Sequence, residues 1–373
     1  MPLPNRSISV YRWCVMSAIV MSIASVFNII YFIKQRLPSE NDDELTILKS
    51  SVVNHTASVS DNQTNALSQG EYNLFDETFQ IFSQAFANNV LPVLNAQNEN
   101  SSFCPSIPPN LKGPTIIQEP PKNFTLENTS MYHPDVQLGG YYHPKVCLAR
   151  HKIAIIVPYR DRWDILRGFL YHMHEILQRQ QLDYRIYVCE QAFDKIFNKG
   201  IVMNGCFKEI LNLEPNTPCF IMHDVDLLLI DDRNMYTCPI YPRHLSVAID
   251  KFDFYLPYPE LVGGVLAMRR EHYLLVNGYS TNYWGWGGED DDMYQRVVKK
   301  QLIVERPPAS IARYKMLKHT HQKLNPARMK VLRTAQRRID SDGVNNVKYK
   351  LLNTAVYHLY THFLIDVGEQ STQ

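Results

Sequence analysis

Four consecutive carboxylates, Glu289-Asp290-Asp291-Asp292, follow directly on Tyr283-Trp284-Gly285-Trp286-Gly287-Gly288. Neighbouring carboxylates repel one another, which can push one of them toward general-base duty. Indole rings give flat apolar faces on which a sugar can stack, and carboxylates accept hydrogen bonds from its hydroxyls. Glycines permit hinge motion and close backbone approach. A tryptophan–glycine loop of this kind could close over a carbohydrate and exclude water. Part of the string has a plainer reading. Met293 to Lys300 reads as helix, and acids at a helix start are stabilised by its dipole.

Three further groupings could do chemistry. Asp224-Val225-Asp226 puts two carboxylates on one side of extended chain, a geometry for a divalent cation; a strand-terminal Asx turn explains it as well. Met316-Leu317-Lys318-His319-Thr320-His321 offers two imidazoles, a candidate third corner of a metal site or a surface pair. Pro158-Tyr159-Arg160-Asp161-Arg162 carries two guanidiniums suited to bidentate phosphate contact, or to a solvated loop.

The elements that must position these groups are legible between them. Ile153 to Pro158 is a continuous apolar run, the pattern of a strand buried on both faces. Trp163 to Gln178 has helical period, Tyr184 to Cys189 reads as strand, and Ile196 to Leu213 as helix. Cys219 to Met222 is a third strand running into Asp224 and Asp226. Strand–helix alternation predicts a parallel α/β sheet, with ligands at the carboxyl ends of its strands. No GxGxxG is present, so a dinucleotide site is unsupported. Residues 104–150 are proline-rich and read as an irregular wrapping segment.

The chain has 373 residues with 38 Lys and Arg against 37 Asp and Glu. A net charge of +1 excludes bulk attraction to nucleic acid or anionic membrane as its main business. Trp13 to Ile33 is 21 residues without a charge, bounded by Arg12 and by Lys34 and Arg36. That length spans roughly 30 Å of hydrocarbon and predicts a signal-anchor. Acceptor sequons at Asn54, Asn62, Asn100, Asn123 and Asn128 all follow it, which places the bulk of the chain in the lumen. Six of seven cysteines lie beyond the anchor in that oxidising compartment; spacing alone assigns no pairs. The polar stretch 34–103, with one apolar helical patch at Phe75 to Leu94, reads as a stem.

Taken together these segments resemble the β-1,4-galactosyltransferase family, glycosyltransferases of the GT-A type. The resemblance rests on Ile155 to Arg162, Phe197-Asn198-Lys199, His223 to Leu227, Pro242 to Ala248, Val262 to Val265, Asn277-Gly278-Tyr279 and Tyr283 to Asp292. It implies an α/β, Rossmann-like nucleotide-sugar-binding domain over residues 104–373. Before it would come a cytosolic tail (1–12), the transmembrane signal-anchor (13–33) and the stem (34–103), in a single-pass type II Golgi membrane protein. It implies Mn²⁺ as cofactor, with Asp226, Met316 and His319 as ligands. Pro158, Arg160, Arg162, Phe197, Lys199, Asp224, Val225, Leu261, Trp286 and Glu289 would meet the UDP-sugar donor. Lys199 stands where the family usually has arginine. Phe252, Tyr258, Gly288, Asp290, Asp291, Arg328 and Met329 would meet the acceptor, and Asp290 would be the base. Met329 departs from the aromatic residue usual in the vertebrate enzymes. Two disulfides are implied, Cys104–Cys147 and Cys219–Cys238. Cys189 and Cys206 have no counterpart and are expected free and buried.

One departure bears on the donor. Leu261 precedes Val262-Gly263-Gly264 where galactose-specific vertebrate members carry tyrosine near C2 of the donor sugar. Leucine removes the hydroxyl and leaves an apolar hollow for an acetyl methyl. Invertebrate relatives with a small aliphatic residue here transfer N-acetylgalactosamine. The resemblance therefore favours UDP-GalNAc over UDP-Gal, with a terminal GlcNAc 4-hydroxyl as acceptor and inversion at the anomeric carbon. A catalytically inactive, lectin-like lumenal binder is the alternative from another class; the intact Asp226, Met316, His319 and Asp290 set argues against it.

Overall fold

The apolar run at Ile153 becomes the centre of strand β2 (Lys152–Tyr159), in a computed structural model that describes residues 102–319 and 324–370. The expected anchor and stem, His321, and the sequons at Asn54, Asn62 and Asn100 lie outside the described residues. Ahead of β2, the wrapping segment holds only a short helix α1 (Thr129–Tyr132) and strand β1 (Tyr141–Tyr142).

Helix α2 (Trp163–Arg179), strand β3 (Asp183–Gln191), helix α3 (Lys199–Leu213) and strand β4 (Cys219–His223) follow in the order the periodicity predicts. Helix α3 begins at Lys199 rather than at Ile196. Asn198 takes the cap position, its side chain accepting from the Ile201 N–H at 2.9 Å, so a side-chain oxygen satisfies a donor the helix leaves open. After β4 come β5 (Leu227–Leu229), β6 (Arg243–His244), β7 (Ala248–Ile249) and a 3₁₀ turn (Asp250–Phe252). Then follow β8 (Val265–Arg269), α4 (Arg270–Leu275), α5 (Glu289–Lys299), β9 (Arg313–Met316), α6 (Arg328–Leu332) and α7 (Ala335–Arg338). The hairpin β10 (Lys350–Val356) and β11 (Thr361–Asp366) ends the described chain.

The principal sheet runs β10-β11-β3-β2-β4-β8-β6, with β1 added on β3. The three strands read from the sequence are parallel as expected, and antiparallel strands added at both sides make the whole sheet mixed. Strands β11, β3, β2 and β4 are parallel, while β8 lies antiparallel to β4 and β10 antiparallel to β11. Parallel strands need crossover helices, and α2 and α3 supply them on opposite faces. Alternate residues of β2 feed two cores. Ile153, Ile155 and Val157 pack with Phe169, Leu170, Met173 and Ile176 of α2. Ala154 and Ile156 pack with Val202, Cys206 and Phe207 of α3 and with Met293 and Val297 of α5. Each such fully buried large side chain contributes about 1.5–3 kcal/mol.

Three disulfides are present among the described residues. Cys104–Cys147 and Cys219–Cys238 pair as the resemblance implies. Cys189 and Cys206 are bonded to each other, not free. The reason is topological: β3 and α3 pack together, and both cysteines face the same core.

A second sheet of three strands, β5-β9-β7, sits beyond the end of β4. Its β5, which follows Asp226, pairs with β9, which ends at Met316, and so decides what meets at that end.

Candidate active site

The carboxyl end of β4 is where the candidate residues gather. Past His223 the β4–β8 ladder continues for one more bond, Asp224 N–H to Gly264 O at 2.9 Å. The Asp224-Val225-Asp226 turn therefore abuts the Val262-Gly263-Gly264 loop.

Helix α5 starts at Glu289, so all four acids occupy its first turn instead of preceding it. Gly288, at φ 97°, supplies the left-handed residue before them, a conformation glycine adopts without strain. Successive residues of a helix are about 100° apart around its axis, and the four carboxylates diverge accordingly. Glu289 Oε1 lies 3.5 Å from Lys199 Nζ. Asp290 lies against Gly263, where an added Cβ would meet Asp290 Oδ2 at 2.4 Å. Asp291 Oδ1 accepts from the Tyr258 hydroxyl at 2.9 Å. Asp292 turns inward and is fully buried.

The carboxyl of Asp290 is pushed up to about 7, first by burial, then by the charges of Glu289 and Asp291. Its residue is only half-buried, so one side stays open to the cleft. Lys199 counters this rise. Its ammonium sits 2.7 Å from Asp224 Oδ1 as well as beside Glu289. Burial works against that charge, yet Asp224 and Glu289 hold it well above the usual lysine range. Lys199 thus joins the end of β4 to the start of α5.

Asp226, Met316 and His319 come together through the small sheet. Leu227 pairs with Met316, and Leu317 N–H donates to Asp226 O at 2.7 Å. His319 Nδ1 lies 3.2 Å from Asp226 Oδ2. Among the described residues no group of three or more His, Cys, Asp and Glu gathers for a metal ion; the third member of this set is a methionine, brought alongside by the pairing of β9 with β5. It fits a divalent cation on electrostatic grounds. Asp226 is buried, and burial followed by the Asp224 charge raises its carboxyl. A cation would relieve both.

Arg160 and Arg162 stand on the turn after β2. Arg160 donates to Lys195 O and its guanidinium lies 5.4 Å from the Phe197 ring centre. A cavity of about 340 Å³ opens there, lined by Arg160, Asp161, Glu190, Gln191 and Phe193. Pro158 and Val225 are buried, and Val225 belongs to the core, so only its main chain is left for a ligand.

On the other flank Phe252, Tyr258, Trp286 and Met329 are exposed. Leu261 is half-buried, its N–H bonded to Tyr258 O at 3.3 Å. Trp286 bridges to Leu324, and its carbonyl accepts from Asn325 N–H at 3.0 Å. Arg328 lies 5.9 Å from the Trp286 ring centre. The root of the loop is fixed elsewhere, by Gly285 N–H to Phe197 O at 2.8 Å and Asn198 Nδ2 to Thr281 O at 2.7 Å. Of the two described sequons, Asn123 is exposed. Asn128 is half-buried, and its amide is engaged with Asn123 O and Thr125 N–H.

Sequence reasoning missed the support beneath Asp290. Asp292 Oδ1 lies 2.5 Å from Arg296 Nε, and its Oδ2 takes Arg338 at 3.0 Å and the Tyr283 hydroxyl at 3.0 Å. Asp342 accepts from Arg296, Arg338 and Ser280. Two arginines and two aspartates thus balance in the interior. The i, i+4 spacing of Asp292 and Arg296 was the only local signal; Asp342 is 46 residues from Arg296.

Residues 104–239 match the family model for the N-terminal region of glycosyl transferase group 7, and residues 243–320 match that for the N-terminal domain of galactosyltransferase. Beta-1,4-galactosyltransferase 1 of Mus musculus is 44% identical over 270 residues, covering 71% of this chain and 67% of that protein. The Homo sapiens protein of the same name is 43% identical over 284 residues, covering 75% and 71%. The chain belongs to the β-1,4-galactosyltransferase family. A solved relative of this family has the same mixed α/β, GT-A-like fold: the catalytic domain of Drosophila beta1,4galactosyltransferase 7, in complex with xylobiose. It aligns with TM-score 0.51 at 31% identity, over 58% of this chain and 94% of that one. As a member of the β-1,4-galactosyltransferase family the chain is a hexosyltransferase.

Proposed function

We propose that this hexosyltransferase moves N-acetylgalactosamine from UDP-GalNAc to the 4-hydroxyl of a terminal GlcNAc on glycoconjugates, with Mn²⁺ and with inversion. The observation that carries the reading is the seating of Asp290 against Gly263, within the loop that bears Leu261. The group fit to take a proton and the residue that distinguishes the donor are thereby parts of one packed unit.

Asp290 accepts the proton of the acceptor hydroxyl as that oxygen attacks the anomeric carbon from the face opposite UDP. A single base, with no second carboxylate acting as nucleophile, gives the β-linked product from an α-linked donor. Its raised affinity for a proton suits it to that exchange near neutral pH. Glu289 and Asp291 hold sugar hydroxyls on either side. Trp286 meets the donor, and closure of its loop orders the acceptor site and excludes water. Arg160, Arg162 and Lys199 take the nucleotide side. Asp226, Met316 and His319 would hold Mn²⁺, whose chemistry when bound is to neutralise charge on the departing diphosphate. The same reading places residues 13–33 in the Golgi membrane as a type II anchor, with the catalytic part lumenal.

Transfer of galactose by the same machinery is the second reading, favoured by the donor in the names of the relatives. Rates with UDP-GalNAc and UDP-Gal on a GlcNAc-terminated acceptor separate the two, measured for wild type and Leu261→Tyr. The proposal expects wild type to prefer UDP-GalNAc and the tyrosine variant to turn toward UDP-Gal. Equal or better GalNAc transfer by the tyrosine variant sinks it.

A further inference from the structure

The loop from Pro259 to Gly264 has no regular partner strand of its own, yet its carbonyls are held at regular intervals. Arg306 Nη2 donates to Pro259 O at 2.6 Å and to Leu261 O at 3.1 Å. His244 Nε2 donates to Gly263 O at 2.9 Å, and Ser246 Oγ donates to the same oxygen at 3.0 Å. The Asp224 N–H takes Gly264 O. Carbonyls 259, 261 and 263 are thus each held by a side chain from outside the loop.

These donors come from one structural unit. His244 N–H bonds to Glu305 O, and Glu305 N–H bonds to Pro242 O, so β6 and the segment bearing Arg306 are stitched together. Arg243 and Glu305 add an ion pair at 2.7 Å. His244 and Ser246 are fully buried, and burial pulls the imidazole down to about 4. The ring is therefore neutral, with its single proton on Nε2 for the carbonyl. Ser246 Oγ in turn accepts from Val265 N–H at 2.8 Å.

We infer that Arg306, supported by His244 and Ser246, is a positioning residue that sets donor selectivity by fixing the backbone on which Leu261 stands. It acts through the carbonyls of Pro259 and Leu261. Selectivity between two sugars that differ by an acetamido group rests on sub-ångström placement of the Leu261 side chain, and backbone free to shift would blur it. Charge-assisted bonds to the carbonyls of Pro259 and of Leu261 itself remove that freedom. Arg306 also lines a cavity of about 430 Å³ with Arg233, Arg243 and Pro307. A substitute side chain has room there without disturbing the core.

The inference rests on Leu261 facing the donor, and the test keeps the two apart. The full chain is assayed with UDP-GalNAc and with UDP-Gal, as wild type, Leu261→Tyr, Arg306→Met, Arg306→Lys and the double variant Leu261→Tyr/Arg306→Met. Arg306→Met should move the ratio of kcat/KM for the two donors about tenfold toward unity, whichever donor wild type prefers. Acceptor KM and Tm should stay near wild type, and Arg306→Lys should recover most of the ratio. The double variant should show less than the sum of the two effects. A ratio that moves with Leu261→Tyr but not with Arg306→Met overturns the positioning role alone. A ratio that moves with neither overturns it together with the donor reading. Loss of rate that tracks loss of Tm, with the ratio unchanged, assigns Arg306 to stability only and also overturns it.

Discussion

The backbone of Gly263 is the floor against which the Asp290 carboxylate rests: a β-carbon there would stand 2.4 Å from Oδ2. The obstructed atom is the end of a side chain that can rotate, so Gly263→Ala should fold. The carboxylate, however, must swing out of place. Displacement of a reacting group by an ångström typically lowers rate by up to about 100-fold. We expect kcat for Gly263→Ala to fall about 10- to 100-fold with Tm nearly unchanged. Wild-type kcat in the alanine variant counts against Asp290 as the base.

Removing the carboxylate proposed as the base should be more severe. Asp290→Asn should lower transfer by about 10²- to 10⁴-fold while leaving UDP and Mn²⁺ binding intact by calorimetry. The same variant reads the carboxyl's pKa through stability. The ordinary value of 3.8 rises to about 7 in the folded protein, so the folded state holds this proton more tightly than the unfolded one. That contribution is complete below about pH 4 and is lost as pH rises toward about 7. Asp290→Asn should therefore melt higher than wild type at about pH 8, with the gap closing in acid. Transfer by wild type should rise with pH along a limb centred near about 7. A gap independent of pH would show that the carboxyl is not perturbed.

Lys199, held by Glu289 and Asp224, restrains that rise through its positive charge. In Lys199→Met the acid limb should move to higher pH, since one cation no longer favours ionised Asp290. Lys199→Arg keeps the charge and should keep the limb in place. A pH–rate profile of each variant decides the matter; coincident limbs for methionine and wild type would refute the coupling.

Beneath the acids, Arg296 and Asp292 form a fully buried ion pair. Arg296→Met would leave Asp292 and Asp342 facing only Arg338 and neutral donors. Breaking a buried pair from one side typically destabilises by about 3–5 kcal/mol, so a shift of that size is expected in urea unfolding. Because Tyr283 and Ser280 share the same network, the tryptophan loop should become more open to proteolysis. A change below about 1 kcal/mol would place the pair among those that contribute little.

Periodicity and residue type carried much of the fold. The continuous apolar run of β2 announced burial on both faces, and α2, β3 and β4 were legible within one or two residues because each packs the side its pattern predicts. The antiparallel β8 was not legible, since Val265–Arg269 pairs with a strand some forty residues earlier and no local pattern encodes that register. Cys189 and Cys206 were misread for a similar reason: only the packing of α3 on β3 brings them into reach.

The site divides along the same line. Its inventory was written in the chain: four acids beside two tryptophans, two aspartates at a strand end, two arginines at another, a methionine and a histidine three residues apart. What each acid does was not. Four adjacent letters became four different environments because a helix turns each side chain about 100° from the last. One carboxylate found Lys199, one Gly263, one Tyr258 and one the buried Arg296. Composition and spacing determined which chemistry the chain can attempt. The like charges beside Asp290 are its own sequence neighbours, but only the tertiary structure decided how far its carboxyl is desolvated, because that depends on the Gly263 loop brought against it at the end of β4.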